Sequence, residues 1–315
     1  MDKRNYIKKP LSFKKQLEQL KSRNLIVNDE PKALLYLQSI SYYRLSAYFL
    51  PYQKVKDTFN TGTTFQQIID TYMFDRDLRL FIFDSIERIE IAIRTQLIYC
   101  MALHHNDAHW QDNKANFIVP FYNKIGKLVD PYNNFQSVIS KAKTARKPEV
   151  FIKHYTDTYK SPSNPPSWMC LELLTMGELS FVYKGLRNNA DKKRIANFFD
   201  VHPTVLSSWL HSLTYVRNIC AHHSRLWNRD LAIEPDRLKK PVGKWVGASY
   251  QNNKRVFYFI TVLKYLLLRV NPENGLKNKL RSLFNKYPNV PIQFLGIPSN
   301  EMGVMLNWEN EPLWK

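Results

Sequence analysis

The sequence predicts an all-α protein, and three observations carry that reading. Glycine is scarce, nine in 315 residues, less than half of the roughly 7% found in average chains, so sheet-rich folds with many tight turns are poor candidates. Apolar residues recur at helical spacing: Ile82, Ile86, Ile89, Ile93 and Leu97 form one stripe of the kind that faces a bundle core. Helix-start signatures also punctuate the chain. Thr63 and Thr64 each have a glutamine three residues on, and His202 precedes a proline suited to a first helical turn.

The elements follow in order. Leu11 to Asn24 reads as a basic amphipathic helix, and Pro31 to Tyr48 as a second. A long helix is expected from Thr63 or Thr64 to about Leu103, with a break near Asp75. Residues 105–165, rich in proline, read as a connecting region with short helices. Helices are expected from Trp168 to about Arg187, from His202-Pro203 to about Asn228, from Lys254 to Val270 and from Leu276 to Lys286. The expected organisation is a basic N-terminal helical segment over 1–62, a helical bundle over 63–286, and an extended tail over 287–315 held by aromatic anchors. No repeat or low-complexity tract is present.

Charge narrows the partner class. Lys and Arg number 46 against 27 acidic residues, a formal net charge of +19, which favours a polyanion. Basic residues concentrate in 1–25 (including Lys3, Arg4 and Lys8), in 124–153 and in 237–286. In the last cluster Trp245, Tyr250, Tyr258 and Tyr265 interleave with the cations, a pattern suited to stacking on single-stranded bases, with half of these aromatics assigned to the core. No basic segment pairs a wide apolar face with aromatic anchors, so RNA is preferred over a membrane surface. The N-terminal residues lack an apolar h-region, and Cys100, Cys170 and Cys220 offer no zinc spacing; both features fit the cytoplasm. Neither GxGxxG nor GxxxxGK[ST] occurs, and no cofactor is called for.

The stretch from Tyr215 to Arg229 carries the chemistry. On a continued helix His211, Tyr215, Asn218, His222, Arg225 and Arg229 would form one polar, basic stripe. Leu213, Val216, Cys220 and Trp227 would form an apolar one, with His223 beside it as a structural histidine. His222, one turn after Asn218, is either a general base with its tautomer set by the amide or a solvated histidine in a basic face. A histidine among arginines suits metal-independent RNA cleavage: imidazole takes the ribose 2′-OH proton and guanidinium steadies the phosphorane-like transition state. Arg217 and His222 would point about 140° apart on a regular helix, so meeting at one phosphate needs Arg217's reach, a bend, or a second copy of the chain. Adjacent imidazoles diverge by about 100°, so no metal is assigned at His222 and His223. Glu87 and Glu90 lie off the isoleucine stripe. Ion pairs Asp84–Arg88 and Glu90–Arg94 account for that face, with orientation of Arg217 by Glu87 or Glu90 as the other reading. Lys254 and Arg255 join Arg225, Arg229, His211 and Tyr215 as candidate RNA contacts.

Arg217-Asn218-x-x-x-His222 resembles the R-x4-H signature of HEPN ribonuclease domains, and its setting resembles the bacterial abortive-infection (Abi) family of the AbiD/AbiF type. Further blocks carry the likeness: Tyr42 to Tyr48, Phe74 to Arg79, Ile86 to Glu90, Pro166-Ser167-Trp168 with Glu172, Gly177 to Ser180, and the tail with Met302-Gly303, Asn307-Trp308 and Pro312-Leu313-Trp314. The resemblance implies a HEPN-type bundle and a phage-defence or toxin–antitoxin role. It also implies metal-independent cleavage with Arg217, Asn218 and His222 at the site, and a homodimer that brings two motifs together. AbiF-like relatives associated with small non-coding RNAs imply such an RNA as guide, regulator or antitoxin. Ser224 stands where nucleotidylated HEPN proteins carry tyrosine, so that regulation is not carried over. The alternative is a non-catalytic RNA-binding protein that grips a structured RNA with the same face.

The charge pattern predicts RNA binding that weakens by roughly tenfold or more between 50 and 200 mM salt as several phosphate contacts release counterions. Filter binding across that range tests it, and affinity indifferent to salt would contradict it.

Overall fold

The computed structural model describes residue 5, residues 9–300 and residues 305–315. Lys3, Arg4 and Lys8 of the N-terminal cluster and the Met302-Gly303 block lie outside the described residues. Among the described residues, twelve α-helices and a two-stranded hairpin make the fold all-α, as expected. In chain order these are α1 (Phe13–Ser22), α2 (Glu30–Ile40), α3 (Tyr42–Ser46), α4 (Phe65–His105), β1 (Phe121–Tyr122), β2 (Leu128–Val129), α5 (Pro131–Lys143) and α6 (Val150–Thr158). Then follow α7 (Ser167–Cys170), α8 (Met176–Gly185), α9 (Asn189–Phe198), α10 (Pro203–Ala221), α11 (Val256–Val270) and α12 (Leu276–Lys286). The chain divides into two compact units, Met1–Arg79 with Leu280–Ile292, and Leu80–Lys279 with Gln293–Lys315. No helix among the described residues is long and apolar enough to cross a membrane.

In the first unit α1 and α2 pack through Leu17, Leu20, Ala33 and Leu37, all buried. The expected single helix from Pro31 to Tyr48 is two helices, because Ser41 adopts a left-handed φ of 74° and its hydroxyl accepts from the Arg44 N–H to restart α3. Thr64 is the cap of α4: its hydroxyl accepts from Gln67 N–H at 3.2 Å, while Gln67 Oε1 accepts from Thr64 N–H at 2.8 Å. The expected break near Asp75 is absent. Asp75 is fully buried, pairs with Arg79 one turn on, and accepts a 2.6 Å hydrogen bond from the Tyr48 hydroxyl. Burial, and then the Asp75 charge, push the Tyr48 phenol well above its ordinary range.

In the second unit the isoleucine stripe of α4 is the core it was expected to be: Ile82, Ile86, Ile89, Ile93 and Leu97 are at most 1% exposed. Asp84–Arg88 and Glu90–Arg94 form the expected i,i+4 ion pairs. The 105–165 region contains the β1–β2 hairpin besides short helices. It is ordered by Asn164, whose amide donates to Asp112 Oδ1 at 2.9 Å and Gln136 Oε1 at 3.0 Å. Gly185 of α8 lies so close to Pro131 of α5 that a Cβ there would sit 2.3 Å from the proline Cβ. The expected helix from Trp168 to Arg187 breaks at Leu174, which is extended, and restarts at a Thr175–Glu178 capping box. The tail buries Trp308, Leu313 and Trp314, with the two indoles edge to face at 4.8 Å.

Asp75→Ala leaves Arg79 buried without its carboxylate, and chemical denaturation should register a loss of about 3–5 kcal/mol. A loss below about 1 kcal/mol would mean the Tyr48–Asp75–Arg79 group is not a stability element.

Candidate functional site

Helix α10 carries the motif, and its placement starts at its own cap. The His202 side chain accepts from Thr204 N–H and Pro203 occupies the first turn, as the sequence suggested. Leu206, Trp209, Leu210, Leu213 and Val216 bury one face completely. Helix α8 packs against α10 where Gly177 meets Thr214; a Cβ at Gly177 would be 3.3 Å from the threonine methyl. Arg94 of α4 holds the start of α8, donating to Leu174 O at 2.9 Å and to Glu90 at 3.1 Å, with Glu172 at 3.5 Å.

The helix stops seven residues earlier than expected from its sequence, at Ala221 rather than near Asn228. His222 caps it, with its N–H bonded to Asn218 O at 3.0 Å. His223 then takes a left-handed φ of 55°, His223 N–H donates to Cys220 O at 3.1 Å, and Ser224 N–H donates to Ile219 O at 3.0 Å. This is a Schellman ending with histidine in the position glycine usually fills. The apolar-face reading of His223 is therefore corrected: it lies past the helix, exposed. The single polar stripe from His211 to Arg229 is corrected too, because Arg225 and Arg229 stand on a turn and no helical phase relates them to His222.

That turn is fastened from both sides. Leu226 and Trp227 are fully buried, and Trp227 meets Phe294 edge to face at 5.4 Å. Arg229 Nε donates to Arg225 O at 2.6 Å. Arg255 donates to Asp230 at 2.8 Å, to Asn228 Oδ1 at 3.2 Å and to the Phe294 carbonyl. Gly296, at φ 94°, leaves room for Arg255; a Cβ there would lie 2.3 Å from the arginine Cβ.

Arg217 is half-buried and its guanidinium lies 5.6 Å from the ring centre of Phe83 on α4, a cation–π distance. Asn218 and His222 are exposed. Leu80, Phe83, Glu87 and Ile91 share one face of α4, and the three apolar members are 56%, 37% and 52% exposed. Glu90 is engaged by Arg94. His211 and Lys184 border a cavity of about 530 Å³ lined also by Phe181, Ser180, Thr204 and Ser207. Partial burial, and then the Lys184 charge, pull the His211 imidazole below its ordinary range. Tyr215 is half-buried and Lys254 exposed. The aromatics interleaved with the last basic cluster are all core: Trp245, Tyr250, Tyr258 and Tyr265 are at most 7% exposed, where half had been expected to remain available. Chemically, the end of α10 presents an imidazole and an amide to solvent, with guanidinium groups on either side in sequence.

Over residues 35–228, well over half of the chain, the sequence matches the family described as Abi-like protein. The chain belongs to the Abi-like family. Abortive infection is the role that this membership supports. The match ends at Asn228, so it includes α10 and the motif turn. No significant match was found among curated proteins or solved structures.

One group that sequence reasoning missed also stands in the second unit. His104, His105 and Asp191 bring three possible metal-ligand atoms within 4.8 Å of one another. Two neighbouring histidines and an aspartate on a distant helix give no spacing signal, so only the fold brings them together.

The left-handed backbone at His223 yields a direct comparison. Both His223→Gly and His223→Ala remove the imidazole, but alanine keeps the Cβ conflict. The glycine variant should be more stable than the alanine variant by about 1 kcal/mol in thermal or urea unfolding. Equal stabilities would mean the turn relaxes out of the left-handed region.

Proposed function

We propose that this Abi-like protein is a metal-independent endoribonuclease of the HEPN type, acting in phage defence as a homodimer. The observation that supports it best is the exposed imidazole of His222 at the end of α10, one turn after Asn218, with Arg217 one residue further back and Arg225 and Arg229 on the turn that follows. In this reading His222 takes the proton from a ribose 2′-OH and the 2′-oxygen attacks the adjacent phosphorus. The bond from phosphorus to the 5′-oxygen breaks and that oxygen leaves with a proton, giving a 2′,3′-cyclic phosphate and a 5′-OH. Arg217 stabilises the charge gathered on the phosphoryl oxygens, and Asn218 orients the imidazole.

The dimer is supported by two features. Arg217 lies over Phe83, and helical geometry separates its direction from that of His222 by about 140°. The exposed face of Leu80, Phe83 and Ile91 beside it is apolar enough to be covered by a second copy. RNA, as substrate or as a bound small non-coding RNA, is the partner that the charge of +19 supports.

Protein freed of co-purified nucleic acid should cleave labelled single-stranded RNA in EDTA. Arg217→Ala/His222→Ala should reduce the rate by about 10²–10⁴-fold while leaving the circular-dichroism spectrum unchanged. A defined RNA bound equally by both proteins, with no cleavage by either, would make the same face a phosphate grip in a non-catalytic RNA-binding protein.

A further inference from the structure

The geometry points to a divalent-metal site of the zinc class built from His104, His105 and Asp191, at the junction of α4 and α9. Its position and donor set are independent of the RNA chemistry at α10.

Adjacent residues on a helix project about 100° apart, so two neighbouring imidazoles ordinarily serve different surroundings. Here α4 ends at His105, and Asn106 takes a left-handed φ of 48° that terminates it. At that last turn both rings converge on one carboxylate. His105 Nε2 lies 3.1 Å from Asp191 Oδ2, and His104 Nε2 lies 3.6 Å from Asp191 Oδ1. Ligand atoms bound tetrahedrally at 2.0–2.1 Å from a zinc ion stand about 3.3 Å from one another. The two nitrogen–oxygen separations bracket that value, and all three ligand atoms lie within 4.8 Å of one another, so seating an ion requires the donor atoms to draw closer together around it.

The carboxylate is the second part of the argument. Asp191 sits in the first turn of α9 with only 2% of its side chain exposed. Burial of a carboxylate is costly unless its charge is met. Its nearest permanent cation, Arg194, is 3.5 Å away and 43% exposed, a loose pair at the protein surface. A divalent cation between the carboxylate and the two imidazoles would supply closer compensation, and Arg194 has room to turn outward. His104 is 36% exposed along its side chain, so water can reach the cluster to complete the coordination. Cys100, one turn earlier, donates its thiol to Gln96 Oε1, so the protein ligand set is two nitrogens and one oxygen. That set suits zinc and its neighbours and is a poor match for magnesium or calcium, which prefer oxygen donors. Bound there, the ion would staple the end of α4 to the start of α9, which itself packs on α10.

The test uses tag-free full-length protein stripped with EDTA, then titrated with Zn²⁺ and with Co²⁺ as a spectroscopic stand-in. The expected result is one ion per chain, intense visible absorption from four-coordinate cobalt, a rise in Tm on adding zinc, and no comparable response to Mg²⁺. His104→Gln/His105→Gln should weaken binding at least about a hundredfold and abolish the zinc-dependent Tm shift. Asp191→Asn, with circular dichroism to verify folding, should do the same. Absence of saturable uptake by the wild-type protein would overturn the site, as would uptake unchanged in the double variant. Cleavage in EDTA is read separately, so neither proposal stands or falls with the other.

Discussion

The placement of α10 depends on a close helix–helix approach that tolerates little side chain at one point. Gly177 of α8 faces Thr214 of α10 across a gap where an added methyl would already press on the threonine. That approach is useful only because the start of α8 is itself held: Thr175 and Glu178 satisfy each other's backbone donors, and Arg94 donates to the preceding Leu174 carbonyl. A partly buried guanidinium bonded to a carbonyl and a carboxylate, with a second carboxylate beside it, defines a position better than apolar packing alone, because its donors are directional. Through this sequence the isoleucine-rich core of α4 reaches the helix that carries Arg217 and His222.

The second constraint is where α10 ends. Had it continued to Asn228, its basic residues would have formed one straight stripe. Instead the chain reverses at His223, and the following arginines are set by a turn whose own anchors are Leu226 and Trp227 in the core. The exposed imidazoles and the arginines thus answer to different parts of the structure. Helical hydrogen bonds position Asn218 and His222, whereas tertiary packing positions Arg225 and Arg229.

These differences explain what could be read from the sequence. The start of α10 was legible because proline after a capping residue has few other uses, and α12 was legible to the residue because Gly275 and Pro288 bracket it. The end of α10 was not, because a histidine occupies the left-handed position and glycine gives no warning there. The restart at Thr175 carried a visible capping box that the apolar run around it concealed. Ion pairs one turn apart, such as Glu90–Arg94, follow from spacing alone. The Trp245, Tyr250, Tyr258 and Tyr265 group shows the opposite limit, since interleaving with lysine looks the same whether the ring meets a base or a core. The convergence of His104, His105 and Asp191 spans 86 residues and belongs wholly to tertiary structure.

Arg255 has one more implication. Its guanidinium joins the turn after the motif to the Phe294 carbonyl, and its aliphatic stem fills the space that Gly296 leaves vacant. The two positions are therefore coupled sterically: a side chain at 296 would meet the Arg255 stem as well as the strain of its positive φ, and displacing that stem would release Asn228 and Asp230 together. A change in a segment remote from the histidines thus has a mechanical route to the turn that follows them.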